Sequence, residues 1–271
     1  MRVLYVAINY RTPEHVRGFV DCFRSPPDGT RVLIVDNTEP ALRTPPNLSS
    51  DQAKWVACIP SPGNLGYFGG ARFGLEKALA DGCSPDWIVV SNVDVRLGPS
   101  EVHRSLRARQ GRTSGVIAPS IVSTSTGAQL NPFMVNRPTV LRMHLYKVLF
   151  RSYWGYATYS TLSTLARRLK RSGDKESAPS ADMQIYAPHG SLIIFSREFF
   201  DRGGSLAHPP FLYGEEITIG ERARSLGLPV EFVPSIKVEH EEHASMSRLP
   251  GRAQHKFISE AATHVANTYF S

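Results

Sequence analysis

The sequence predicts an α/β protein with a mostly parallel central sheet that helices cover on both faces. The first hundred residues alternate short runs rich in β-branched and aromatic residues with amphipathic stretches, which is typical of parallel strands joined by crossover helices. The chain has 271 residues, of which 41% are hydrophobic. A chain of this length and composition can bury a substantial core, so disorder as its main state is excluded.

Four strands are predicted in this first part, each as a short apolar run. They span Arg2–Ile8, Arg31–Val35, Lys54–Ile59 and Trp87–Val90. A helix is predicted after the first strand, because Thr12 is a favoured N-cap and Pro13 fits the first helical position. Its apolar residues recur at i, i+3, i+4 and i+7 and give it one buried face. These residues are Val16, Phe19, Val20 and Phe23.

A glycine-rich segment, Gly63 to Gly70, follows the third strand. A helix is predicted from Ala71 onward by the apolar spacing, with Gly82 closing it. The segment lacks the GxGxxG order and does not follow the first strand, so a dinucleotide-binding fold is disfavoured. The glycines fit two explanations equally: a turn that needs positive φ, or a backbone that approaches a ligand closely.

Regular elements continue in the second half after a less regular stretch. Strands are predicted at Ser191–Phe195 and Val230–Val233, with a helix at Glu216–Leu226 between them. The segment 151–175 mixes tyrosine and tryptophan with the basic residues Arg167, Arg168, Lys170 and Arg171. That composition suits an anionic membrane interface, and it also suits a solvated helix that ends in positive charge, as polybasic surface stretches commonly do.

The charge balance favours an anionic partner. Lys and Arg total 31 against 24 Asp and Glu, a formal net charge of +7, which suits an anionic ligand or an anionic membrane surface. No zinc-finger spacing, RNA-binding aromatic motif or basic zipper accompanies this charge, which argues against nucleic acid as a partner. The three cysteines are widely spaced and odd in number, so neither a disulfide framework nor a CxxC metal site is indicated.

The hydrophobic stretches predict the compartment. The first apolar run, Val3 to Ile8, is too short and too lightly flanked for a signal peptide. No stretch approaches the roughly 18 apolar residues of a spanning helix. The sequence therefore predicts a cytoplasmic protein whose membrane contact, where it exists, is peripheral at the inner face of the plasma membrane.

Polar residues follow three of the predicted strands. They are Asn9-Tyr10, Asp36-Asn37 and Asn92-Val93-Asp94. Ligands of open parallel sheets bind beyond the carboxyl ends of the strands. Asp36 can accept hydrogen bonds from a base or ribose there. Asp94 is either a cap for the following turn or a ligand for a hard divalent cation.

Two further groups carry possible chemistry in the second half. Glu215 and Glu216 follow an aromatic lead-in at a helix start, where they serve as helix caps or as a desolvated general base. His240 follows a predicted strand and is either structural or a metal ligand. It belongs to the run Val238–His243, which lacks the HExxH order, so a zinc protease is not supported.

Taken in order, these segments resemble family 2 of the inverting glycosyltransferases, and within it the bacterial rhamnosyltransferase-like branch that builds cell-surface polysaccharides. The matching segments are Ile8-Asn9-Tyr10, Val35-Asp36-Asn37, Asn64 to Gly70, Asn92-Val93-Asp94, Phe211 to Glu216 and Val238-Glu239-His240. Each segment alone is weak, but their ordered succession is specific and covers nearly the whole chain. The resemblance implies one continuous GT-A domain, with a nucleotide-sugar-binding half over 1–120 and an acceptor-binding half over 121–271.

The resemblance also implies roles for individual residues. The nucleotide sugar would be held by Asn9, Tyr10, Asp36, Asn37, Asn64, Gly66, Gly69, Gly70, Asn92 and Asp94. Asp94 and His240 would bind Mg²⁺ or Mn²⁺ on the donor diphosphate. Glu216 matches the catalytic base, with Glu215 as the alternative. His189 and Gly190 match the turn that borders the acceptor site, although a packed loop histidine explains His189 as well.

The family branch implies dTDP-rhamnose as the donor and a cell-surface polysaccharide or lipid-linked saccharide as the acceptor. The sequence departs from the family pattern at Asn92 and Thr218, where acids are usual, at Glu216, where Asp is usual, and at Arg72, where Asn is usual. These departures leave open a catalytically degenerate nucleotide- or glycan-binding subunit. A sugar-phosphate nucleotidyltransferase is a further alternative, disfavoured because residues 9–13 are not the glycine-rich basic loop of that class.

Overall fold

The computed structural model describes residues 1–171, 179–241 and 251–271, with only the backbone described for 164–171. Within these ranges nine strands form one sheet. They are β1 (Val3–Asn9), β2 (Thr30–Asp36), β3 (Val56–Pro60), β4 (Trp87–Asn92), β5 (Val95–Leu97), β6 (Val116–Ser123), β7 (Met183–Ile185), β8 (Leu192–Ser196) and β9 (Val230–His240).

Helices cover this sheet and extend beyond it. They are α1 (Pro13–Asp21), α2 (Gly66–Ala80), α3 (Pro99–Arg107), α4 (Val140–Leu149), α5 (Tyr153–Arg171), α6 (Arg197–Asp201), α7 (Glu215–Ser225) and α8 (Gly251–Tyr269). Single 3-10 turns lie at Pro40–Leu42 and Gln52–Lys54. Among the helices of the described ranges, none has both the length and the apolar character that a bilayer crossing requires.

The sheet is parallel in its first half and mixed in its second. Its order is β3-β2-β1-β4-β8-β6-β9-β5, and β7 pairs with β9. β1 runs parallel to β2 and β4, and β3 runs parallel to β2, as predicted for the first half. β8 is antiparallel to both β4 and β6. One sheet therefore passes through both predicted halves of the chain.

Burial on both faces of β1 explains the apolar run at the start of the sequence. Alternate side chains of a strand point to opposite faces. Tyr5 packs with α1 on one face, and Val6 packs with α2 on the other. Because both faces are covered, the polar residues of this strand lie only at its carboxyl end, where Asn9 stands opposite Asp36.

Two local predictions near the site are corrected by the structure. The glycine-rich segment is not a separate turn, because α2 begins at Gly66 rather than Ala71. Side chains outside the helix support this early start: Asn64 Oδ1 accepts from the backbone N–H of Gly66 at 3.1 Å. Thr12 precedes α1 but forms no side-chain cap, since its hydroxyl donates to Asn9 Oδ1 at 2.9 Å instead.

Besides the cores on the two faces of the sheet, a third, smaller core sets the orientation of α7. It joins α4, α7 and α8 through Met143, Ile217 and Val265. On the same helix the buried carboxylate of Glu221 accepts hydrogen bonds from Arg137 at 2.6 Å and from the Tyr186 hydroxyl at 2.7 Å. These contacts hold the start of α7, and the two glutamates on it, in a fixed position beside the sheet.

Candidate functional site

The carboxyl ends of β1 and β2 form a buried polar edge. Asp36 Oδ1 accepts from Asn9 Nδ2 at 2.9 Å and from the backbone N–H of Thr38 at 3.1 Å. The side-chain amide of Asn37 donates to the carbonyl of Gly66 at 2.8 Å, while its Oδ1 is buried without a hydrogen-bond partner in the described chain. The predicted residues Asn9, Asp36, Asn37 and Gly66 are thus brought together.

Two glycines let the start of α2 approach this edge. Gly66 has φ +74°, and a Cβ there would overlap the carbonyl oxygen of Phe211. A Cβ on Gly70 would lie 2.7 Å from Asn37 Nδ2. Gly69 is less constrained, since its Cβ would meet only Leu65 at 3.1 Å. The explanation by positive φ therefore applies to Gly66, and Gly66 and Gly70 also approach other parts of the chain closely. Close approach to a ligand stays a prediction.

We expect Gly66→Ala to lower the free energy of unfolding by more than about 2 kcal/mol. The alanine would have to adopt an unfavourable left-handed conformation, and its Cβ would also overlap Phe211. Thermal denaturation followed by circular dichroism measures this loss. Gly82→Ala isolates the conformational cost, since Gly82 has φ +81° and open space around it. Gly63→Ala, with neither constraint, is the matched control. Equal melting temperatures for the Gly66 and Gly82 variants would contradict the close contact.

A second group of residues lies where β4, β5 and β9 meet. Asp94 occupies the turn after β4, and His240 ends β9 opposite Val95. Asp94 Oδ1 and His240 Nε2 are 3.2 Å apart, yet their orientation does not form a hydrogen bond. These two atoms and His240 Nδ1 are buried without a hydrogen-bond partner among the residues described. Buried polar atoms are normally paired, so these groups are available to a ligand.

The donor set fits a divalent cation with few protein ligands. Carboxylate oxygen and imidazole nitrogen both bind Mn²⁺ or Mg²⁺. In the described part of the chain, no cluster of three or more His, Cys, Asp or Glu could hold a metal. Glu241 turns away toward His15 and Arg96, and Glu242 and His243 lie outside the described residues. Asn92, at the end of β4, is half-buried and adds only a neutral amide.

The two glutamates begin α7 after Gly214, which is left-handed with φ +84°. Glu215 is buried, whereas Glu216 is half-buried and accepts a hydrogen bond from the backbone N–H of Gly190. Burial raises the pKa of Glu215, and the neighbouring Glu216 charge raises it further. Burial also raises the pKa of Glu216, against the opposing effect of backbone hydrogen bonds. A desolvated carboxylate pair of this kind suits general base chemistry.

The turn at His189 and Gly190 lies between His240 and the glutamate pair at the start of α7. The His189 ring lies 6.0 Å from the His240 ring between centroids, and Gly190 contacts Glu216. A Cβ on Gly190 would lie 2.9 Å from Glu216 Oε1, so glycine permits this approach. The backbone N–H of His189 donates to Asn131 Oδ1 at 2.8 Å, which anchors the turn. The predicted acceptor residues therefore lie between His240 and Glu216.

Tyr67 and Asn131 are site residues that the sequence reasoning missed. The Tyr67 hydroxyl is buried without a hydrogen-bond partner in the described ranges. Burial, followed by the charges of Glu215, Glu216 and Asp94, raises its pKa, which keeps it a neutral O–H donor. Its signal was an aromatic residue with a polar tip inside the Asn64–Gly70 segment. Asn131 lies in a stretch without a readable pattern and carried no such signal.

Tyr10 and Asn64 lie at the outer end of the polar edge. The Tyr10 hydroxyl donates to Glu39 Oε1 at 3.0 Å. Arg11 holds the same carboxylate with two hydrogen bonds of 2.8 Å. Tyr10 is half-buried, and the Arg11 guanidinium lies over its ring, 5.2 Å from the centroid.

Solved structures confirm that the fold is that of the GT-A glycosyltransferases. GalNAc-T7, solved with UDP, GalNAc and Mn²⁺, has a TM-score of 0.58 at 12% identity over 92% of this chain and 45% of that chain. For Staphylococcus aureus TarS with UDP-GlcNAc the TM-score is 0.53 at 11% identity, over 92% and 62% of the two chains. The chain thus spans less than two thirds of these two proteins.

Sequence comparison adds relatives of narrower function. N-acetylglucosaminyl-diphospho-decaprenol L-rhamnosyltransferase of Mycobacterium tuberculosis is 24% identical over 272 residues, 97% of this chain and 81% of the relative. The low-salt glycan biosynthesis hexosyltransferase Agl10 of Haloferax volcanii is 22% identical over 254 residues, 92% and 70% of the two chains. No family model matches the chain. The predicted resemblance to rhamnosyltransferase-like glycosyltransferases of family 2 is confirmed by these relatives.

Proposed function

We propose that the protein transfers a sugar from a nucleotide-diphosphate donor to a lipid-linked saccharide, with inversion at the sugar and with a divalent cation. The observation that carries this proposal is the single turn, His189-Gly190, which contacts Glu216 and lies beside His240, itself 3.2 Å from Asp94. The names of the two relatives, a rhamnosyltransferase acting on a diphospho-decaprenol and a glycan hexosyltransferase, support the same reaction class.

The donor would lie along the polar edge of the sheet. Asp36, fixed by Asn9 and Thr38, presents a carboxylate to the base or ribose, and the free Oδ1 of Asn37 offers an acceptor beside it. Tyr10, Asn64, Gly69, Gly70 and Asn92 would complete this nucleotide-binding edge. We propose dTDP-rhamnose as the donor, because the Mycobacterium relative is an L-rhamnosyltransferase.

Asp94 and His240 would hold Mg²⁺ or Mn²⁺ at the diphosphate. A cation bound there would neutralise the charge that accumulates on the diphosphate as the sugar bond breaks. Since Asn92 has no charge, Asp94 is the principal carboxylate of this group. Two solved structures of the same fold, GalNAc-T7 and a mannosyltransferase of Pyrobaculum calidifontis with GDP-Man, contain Mn²⁺ and support a cation of this kind.

Glu216 would act as the base. Its carboxylate takes the proton of the acceptor hydroxyl while that oxygen bonds to the anomeric carbon and the diphosphate oxygen leaves from the opposite side. Glu216 suits this role better than Glu215, because it is less buried and is oriented by Gly190 next to the predicted acceptor turn. The neutral Tyr67 hydroxyl lies near the carboxylates of Glu215 and Glu216, whose charges raise its pKa. It can donate a hydrogen bond in this part of the site.

Calorimetric titration with dTDP, UDP and GDP, each with Mn²⁺, Mg²⁺ or EDTA, tests the donor site. We expect binding that requires a cation, followed by transfer from dTDP-rhamnose to a lipid-linked N-acetylglucosaminyl diphosphate and inversion of the anomeric proton signal in the NMR spectrum. Absence of nucleotide diphosphate binding with either cation would contradict the proposal. Binding without transfer or donor hydrolysis would instead support a catalytically degenerate subunit, which Asn92 favours.

A further inference from the structure

One side of α4 exposes large apolar side chains to solvent. Leu141, Leu145 and Val148 stand at i, i+4 and i+7 of this helix, and 80%, 56% and 67% of their surfaces are exposed. Trp154, at the start of α5, is 77% exposed. These four residues are here named the α4 face. Side chains of this kind rarely stand together in water unless the surface contacts another apolar phase.

The opposite side of α4 is firmly packed, so the outward orientation of the α4 face is fixed. Met143 is buried in the third core cluster, and the hydroxyls of Tyr146 and Tyr159 of α5 are hydrogen-bonded at 2.7 Å. Lys147 Nζ donates to Asn267 Oδ1 of α8 at 2.7 Å. Rotating α4 to bury its exposed side chains would break these contacts.

The charge around the α4 face identifies the phase that it contacts. No Asp or Glu occurs between Glu101 and Asp174, while the exposed residues Arg142 and Arg151 lie on or directly after α4. A second copy of the chain would bring two basic surfaces together, which is unfavourable. An anionic phospholipid surface offers both the opposite charge and an apolar interior.

We infer that the α4 face docks on an anionic phospholipid bilayer and inserts its apolar side chains below the headgroups. The membrane contact predicted for 151–175 thereby moves to α4 and the start of α5, and the side chains of Arg167, Arg168, Lys170 and Arg171 lie outside those described.

Exposed Phe133, ahead of α4, packs edge-on against His189 at 5.4 Å between ring centroids. This contact links the segment that leads into α4 with the predicted acceptor turn, so a lipid-linked acceptor can reach the site from the bilayer. That last step rests on the proposed function, whereas bilayer docking does not.

Vesicle co-sedimentation of the full chain tests the inference. We expect binding to phosphatidylglycerol vesicles and about tenfold weaker binding to phosphatidylcholine vesicles. The triple variant Leu141→Gln, Leu145→Gln, Val148→Gln should bind phosphatidylglycerol at least about tenfold more weakly, because its apolar insertion is lost. Leu42→Gln with Leu79→Gln is the matched control, since both residues are exposed leucines on other elements. Circular dichroism checks that every variant is folded.

Tryptophan fluorescence gives an independent readout. Vesicles should shift the emission of the wild-type protein to shorter wavelength, and Trp154→Phe should remove the shift, because the other tryptophans are Trp55 and the buried Trp87. Unchanged vesicle binding by the triple variant would overturn the inference. A wild-type dimer that the triple variant converts to a monomer, without vesicle binding by either, would overturn it in favour of self-association. Cation-dependent nucleotide binding, measured on the same samples, tests the proposed function separately.

Discussion

Asp94→Ala is expected to weaken cation-dependent binding of the nucleoside diphosphate by about 100-fold or more, since it removes the only carboxylate proposed for the cation. His240 alone is a poor ligand for a hard cation, which prefers oxygen. Titration of the diphosphate in Mn²⁺ and in EDTA measures the effect. In EDTA the variant and the wild type should bind equally, because only the contribution of the cation is lost.

Two further variants make this experiment specific. Asp94→Asn keeps the volume of the side chain and removes its charge, so it should show nearly the same loss. Asp201→Asn changes an exposed carboxylate at the end of α6 and should bind like the wild type. Retention of the Mn²⁺ effect in both Asp94 variants would move the cation away from the turn between β4 and β5.

Glu216→Gln is expected to lower turnover by about 10³-fold while leaving the dissociation constant of the donor unchanged. The amide keeps the size of the side chain and its hydrogen bond from Gly190 but cannot accept the proton of the acceptor. Steady-state transfer assays and donor titration, run on the same preparation, separate the two quantities. Glu215→Gln should lower turnover less, and near-normal turnover in Glu216→Gln would move the base to Glu215.

The pH dependence follows from the raised pKa values of this pair. A base must be deprotonated, so the rate should fall as the pH drops through the raised pKa, at a higher pH than for an exposed Glu. Stability responds in the opposite sense. Because folding raises these pKa values above 4.5, the pair favours the folded state at low pH, and this contribution is lost as the pH rises through the folded values. In Glu216→Gln the acid limb of the rate profile should disappear.

Local patterns were sufficient for the first half of the fold. Apolar runs predict β1 to β4, because a strand covered on both faces must be apolar along its length and polar only at its ends. The same rule predicts that Asn9, Asp36 and Asn92 share one edge, since the carboxyl ends of parallel strands lie together. The predicted start of α2 at Ala71 was wrong, because Asn37 and Asn64, whose side chains bond to Gly66, lie outside the helix.

The sequence by itself determined the α/β class, the polar edge of the parallel strands and the glutamate pair at the start of a helix, since each depends on spacing within one element. The family resemblance paired Asp94 with His240, and the structure gives their distance of 3.2 Å. Only the tertiary structure set Gly190 against Glu216, left the Tyr67 hydroxyl without a partner among the described residues and turned the α4 face outward. These features depend on which groups distant parts of the chain bury together. Whether a polar group lacks a hydrogen-bond partner, or an apolar side chain stays exposed, depends on the packed molecule. The spacing of residues within one element does not predict it.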